Sequence, residues 1–239
     1  MKYFTELATI LKSFSIDEIL YFEENYDAQF VYLKKLYENL KDKEKFLKLI
    51  VLNAINAFKL KYKGEEFWKI FSEYFSIKKS EKYYLEFLKE HNNILLEVKV
   101  KRYERVRDFV NSLKYEDFLD LKKFTLSLAK VLNQRPSDKT IVFTAKIVGY
   151  GLRIVGNKFI FPMEIDIPID VRISKISSDK NFWRKLSEET KIPQLHIDSL
   201  IWVTLNLDVE SIKENELKEK VKRLKSILSE IILNNPMKL

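Results

Sequence analysis

Residues that break helices are scarce in this chain. Its 239 residues include four glycines and five prolines, so little would stop a helix once one has started. Apolar positions recur at helical spacing through most of the length. They predict helices over 3–13, 16–24, 28–40, 43–61, 65–76, 79–91, 98–113, 115–133, 138–153, 171–176, 180–190, 193–205 and 212–233. Gly64 and the pair Asn92-Asn93 are the clearest interruptions in the first half. Residues 156–170 read as a non-helical crossing, rich in β-branched side chains and extended in part. The expected fold class is all-α, with no repeat, low-complexity tract or flexible linker.

At this length the chain buries a sizeable core. Forty-three Lys and Arg against 35 Asp and Glu give a net charge of +8, which suits a polyanionic partner such as nucleic acid. It suits a lysine-rich protein without such a partner equally well, and charge leaves both open. The absence of cysteine excludes disulfides, thiolate zinc sites and iron–sulfur clusters. Two histidines, His91 and His196, are too few for a His-rich metal site, so neither a metal nor an organic cofactor is expected. The early Glu6 and the lack of a long apolar run argue against a signal peptide or a membrane span. A cytoplasmic monomer is the expectation.

The chemistry concentrates in residues 139–202. On the helix opening at Lys139, Ile141, Ala145, Val148 and Leu152 form one apolar stripe. Lys139, Phe143, Lys146 and Tyr150 repeat that spacing on another face, so one side packs while the other lines a cleft or meets solvent. Ser137 is the candidate cap, placing Lys139 in the first turn. An amine nucleophile must be neutral to attack, a state favoured by desolvation, nearby positive charge and a helix N-terminus. Asp170 follows Pro168 and begins the helix at Val171, where an aspartate is an ordinary N-cap. Trp202 lies four residues after Asp198, so both share a helix face.

Four blocks in this sequence resemble the archaeal 8-oxoguanine DNA glycosylase family, AGOG, within the helix–hairpin–helix glycosylase superfamily. They are Leu52-Asn53-Ala54 with Lys63-Gly64-Glu65-Glu66-Phe67-Trp68; Lys139 to Lys146; Pro168 to Arg172; and Ile192-Pro193-Gln194-Leu195-His196-Ile197-Asp198-Ser199-Leu200-Ile201-Trp202. The resemblance implies two helical subdomains flanking a cleft, about 64–155 and about 1–63 with 156–239. It implies damaged DNA as partner and a bifunctional glycosylase and apurinic/apyrimidinic lyase as activity. Lys139 then matches the nucleophile, and Asp170 the residue that stabilises positive charge on the sugar. Phe143 and Trp202 match base-stacking residues, Gln29, Lys146 and Asp198 match contacts to the base edge, and Trp68 a pocket tryptophan; Asn53 joins the substrate-binding set. The segment before Lys139, Leu132 to Asp138, lacks the glycines usual in such hairpins. There Arg135 and the following helix start are the candidate phosphate ligands. The rival readings are a glycosylase for another damaged or mismatched base, and a non-catalytic basic helical DNA-binding protein.

Overall fold

Side-chain caps set many of the helix boundaries. The computed structural model describes residues 2–234. Ser15 and Glu18 close a capping box on α2 (Ile16–Tyr26), which follows α1 (Lys2–Lys12). Asp42 caps α4 (Lys43–Ile55), and α3 (Ala28–Leu40) precedes it. Next come α5 (Gly64–Lys78), α6 (Tyr84–His91) and α7 (Leu96–Ser112). Asp120 then splits the single helix expected over 115–133. Its carboxylate accepts the Lys123 N–H, so α8 (Tyr115–Leu119) ends and α9 (Leu121–Leu132) begins. The remaining helices are α10 (Lys139–Ile154), α11 (Val171–Ile176), α12 (Lys180–Thr190), α13 (Gln194–Asn206) and α14 (Asn215–Asn234).

One expectation fails at a loop boundary. α4 stops at Ile55 rather than 61 because buried side chains hold the following loop: Asn92 Nδ2 donates to Asn56 O (2.9 Å) and Lys99 Nζ to Lys59 O (3.2 Å). The crossing over 156–170 is non-helical, as expected, and contains no strand among the described residues.

The chain divides into two units, Met1–Asp27 with Phe161–Leu239, and Ala28–Ile160. The first boundary therefore lies at residue 27, not near 64. α3 packs on α5, and α4 on α10, which ties residues 28–63 to the middle of the chain. In that middle unit α4 is buried almost all round, as a central helix should be. Gly151 lets α10 approach it closely, since a Cβ there would come within 2.5 Å of Ile50 Cδ1 and 2.8 Å of Leu47 Cδ2. In the other unit α13 is the central helix, buried from Gln194 to Ile201 in a core that also holds Leu7, Phe22, Val221 and Leu224. Among the described residues no helix is long and apolar enough to cross a membrane.

Candidate active site

Lys139 is the first residue of α10 and is exposed. The cap is Asp138, not Ser137. Its carboxylate turns back to accept the Arg135 backbone N–H and Nε–H, both at 3.0 Å, and makes no cap bond to α10. The amides of Lys139 and Thr140 accordingly have no partner among the described residues. A helix start in this condition suits an anion. Arg135 is 81% exposed at the side chain, with only Nε committed to Asp138 among the described residues. The hairpin between α9 and α10 turns without glycine because Asn133 takes the left-handed conformation (φ 53°) and donates to Ala129 O and Lys130 O. Asparagine tolerates that region better than most residues.

Beyond its first turn, α10 is buried on all sides. Lys146 is 1% exposed and Tyr150 fully buried, with Lys146 Nζ 5.5 Å from the Tyr150 ring centre. Phe30 of α3 covers Tyr150 from outside the helix (5.3 Å). The face expected to line a cleft is therefore open only at its start, at Lys139 and the half-buried Phe143. Phe143 meets Trp68 of α5 at 6.4 Å between ring centres. Trp68 is 1% exposed and also abuts Phe67 and Phe71, making it part of an aromatic core cluster. Gln29, in the first turn of α3, is 4% exposed. Asn53 on α4 is fully buried, and neither its amide nitrogen nor its oxygen has a hydrogen-bond partner among the described residues. Burying an amide without partners is costly, so Asn53 is the group in this unit best suited to a polar ligand atom or a buried water.

In the other unit, Asp170 caps α11. One carboxylate oxygen, Oδ1, accepts the Arg172 and Ile173 N–H groups, both at 2.8 Å. Oδ2 takes no partner among the described residues, and the side chain is half-buried. A cap bonded through one oxygen holds the carboxylate still and leaves its other oxygen available. On α13, Asp198 is 4% exposed and Trp202 half-buried. The Arg172 guanidinium lies 4.7 Å from the Trp202 ring centre, a cation–π contact.

A family model described as N-glycosylase/DNA lyase, AGOG, matches residues 8–234. The chain belongs to the AGOG family. Its similarity to proteins named N-glycosylase/DNA lyase runs nearly end to end. The Methanococcus maripaludis protein is 38% identical over 239 residues, 92% of this chain and 94% of its own. That of Nanoarchaeum equitans is 41% identical over 203 residues, covering 82% and 88%. A crystal structure of Pa-AGOG, the 8-oxoguanine DNA glycosylase from Pyrobaculum aerophilum in complex with 8-oxoguanosine, superposes with a TM-score of 0.80. It covers 95% of this chain and 96% of that one at 24% identity, which establishes the shared all-helical fold. This AGOG chain is thus an N-glycosylase/DNA lyase acting on DNA.

Several polar residues of this AGOG chain escaped the sequence reading. Gln194 Oε1 accepts the Ile167 N–H at 3.2 Å. His196, fully buried, meets Glu23 Oε1 through Nδ1 at 2.8 Å and accepts the Phe161 N–H through Nε2 at 3.4 Å. Asp166 holds Arg184 in a two-bond pair, both bonds at 3.0 Å. Gln194 and His196 do lie inside one of the four sequence blocks. Their partners, however, are backbone amides of an irregular segment, which no periodicity marks.

Proposed function

We propose that this enzyme excises 8-oxoguanine through a Schiff base on Lys139 and then cleaves the strand by β-elimination. The observation that carries the reading is the position of Lys139: exposed, first in α10, and followed along the same helix side by Phe143 and Lys146. The matches to N-glycosylase/DNA lyases support the two-step chemistry, and the relative crystallised with 8-oxoguanosine supports the base.

The neutral Lys139 amine attacks C1′. The Nζ–C1′ bond forms, the C1′–N9 bond breaks, and the base departs with a proton while the amine gives one up. Because the Lys139 side chain lies in solvent, its desolvation falls to the bound DNA. The sugar ring opens at C1′–O4′, O4′ gains a proton, and an iminium joins the sugar to Nζ. Loss of the C2′ proton expels the 3′ phosphate as the C3′–O3′ bond breaks, and water then frees the lysine. Asp170 carries the negative charge that stabilises the cationic sugar. Its N-cap bonds keep that charge from swinging away. The flipped base stacks on Phe143 and Trp202, and Gln29, Lys146, Asp198 and the unpartnered Asn53 amide read its edges. The phosphate contact falls to Arg135 and the open amides of Lys139 and Thr140.

Borohydride trapping on duplexes carrying 8-oxoguanine tests this. The wild type should form a covalent adduct. Lys139→Gln should form none and release no base while keeping the wild-type Tm, because the side chain is exposed. A normal adduct from Lys139→Gln would move the nucleophile elsewhere, Lys146 first.

A further inference from the structure

The crossing segment that delivers Asp170 has no regular structure, and its last part, Ile165 to Pro168, is buried. Phe161 (2% exposed), Ile165 (5%) and Ile167 (1%) all face the interior. Backbone amides in such a segment need partners that the segment itself does not supply. Side chains of neighbouring helices supply them: Gln194 for Ile167 and His196 for Phe161. The His196 bond fixes the ring tautomer, since accepting at Nε2 leaves the proton on Nδ1 for Glu23. Arg184 of α12 grips Asp166 from the same segment.

Gln194, Asp198 and Trp202 stand at i, i+4 and i+8 on α13, one helix face. That face holds the chain on both sides of Asp170. Before it, Gln194 takes the Ile167 amide, and Pro168 stiffens the next step by fixing φ. After it, Arg172 rests on the Trp202 ring. We propose that Gln194 is a positioning residue for base excision. It fixes the aspartate's approach to the sugar from the same helix face that carries Asp198 and Trp202. The inference rests on the role assigned to Asp170 above.

A double-mutant cycle tests it, using full-length protein and single-turnover base release from an 8-oxoguanine duplex. Gln194→Leu removes the acceptor at similar volume. It should slow base release at least tenfold and leave affinity for a duplex bearing a tetrahydrofuran abasic analogue within about twofold. In an Asp170→Asn background it should add no further slowing. The same slowing in both backgrounds, or no slowing in either, overturns the proposal. Asp166→Asn, which removes the charge from the other clamp on the segment, goes through the same cycle and covers the case in which Gln194→Leu fails to fold. It too should act only where Asp170 is intact, and additive slowing by it would overturn the proposal as well. If Asp170→Asn alone retains the wild-type rate, the catalytic role of Asp170 falls and this inference falls with it. That outcome is distinct from additivity on a crippled Asp170→Asn.

Discussion

Two substitutions at Asp170 separate its structural task from its chemical one. Oδ1 accepts two α11 amides at 2.8 Å. Asparagine offers an amide oxygen in the same place and caps about as well as aspartate; alanine offers none, which costs about 1 kcal/mol. Both lose the charge at the helix N-terminus, roughly 0.3–1 kcal/mol at a partly exposed site. Asp170→Asn should therefore cost about 0.5 kcal/mol and Asp170→Ala about 1.5–2 kcal/mol. For a chain of this size each kcal/mol moves Tm by about 2–4 °C, giving shifts of about 1–2 °C and 3–8 °C. Base excision should ignore this difference. Both variants lack the carboxylate charge that the proposed mechanism sets against the cationic sugar, and one such electrostatic contact is worth about 10²–10³ in rate. The assay pairs thermal melts with single-turnover excision from an 8-oxoguanine duplex. Excision that tracks Tm, nearly intact in Asp170→Asn and lost in Asp170→Ala, would show that Asp170 is only a cap.

Trp202→Ala should weaken discrimination between 8-oxoguanine and guanine by the worth of one stacking surface, about 1–3 kcal/mol, and spare cleavage at a preformed abasic site. Equal loss on both substrates with lost helical circular dichroism would make Trp202 a core residue, which its packing against the α13 core makes the result to watch. Lys99 is buried among carbonyl oxygens, and burial, with the Arg102 charge adding, pushes its pKa down from 10.5 to about 8. The unfolded chain then binds more protons between those values, so this group's contribution to stability rises as pH climbs from about 8 to 10.5. Urea titrations of wild type and Lys99→Met at pH 7 and pH 10 should show the stability difference moving in the wild type's favour at the higher pH. A constant difference would refute the shift.

The helix positions of several candidate site residues were legible in sequence because their signals are local. Lys139 opens α10, and Asp170 caps α11, as the proline and the turn of helix after it predict. The spacing from Asp198 to Trp202 needs only helical geometry. Misreadings arose wherever one short polar side chain had two possible uses. Ser137 and Asp138 both qualify as caps, and the choice depends on Arg135 drawing the carboxylate back. Asp120 sits inside an unbroken apolar repeat, yet its bond to the Lys123 amide ends one helix and starts another.

By itself the sequence determined the helical class, most helix positions and the residues that match the family's chemistry. Each of these follows from spacings of a few residues, or from blocks read in order. The tertiary structure alone decided the boundary of the units, the burial of Lys146 and Tyr150 and the Asn53 amide that has no partner among the described residues. It also decided which side chains hold the segment before Asp170. Gln194 bonds a residue 27 positions away, and His196 one 173 positions away. A buried amide or carboxylate takes whichever partner packing brings to it, and packing joins residues that sequence spacing leaves far apart.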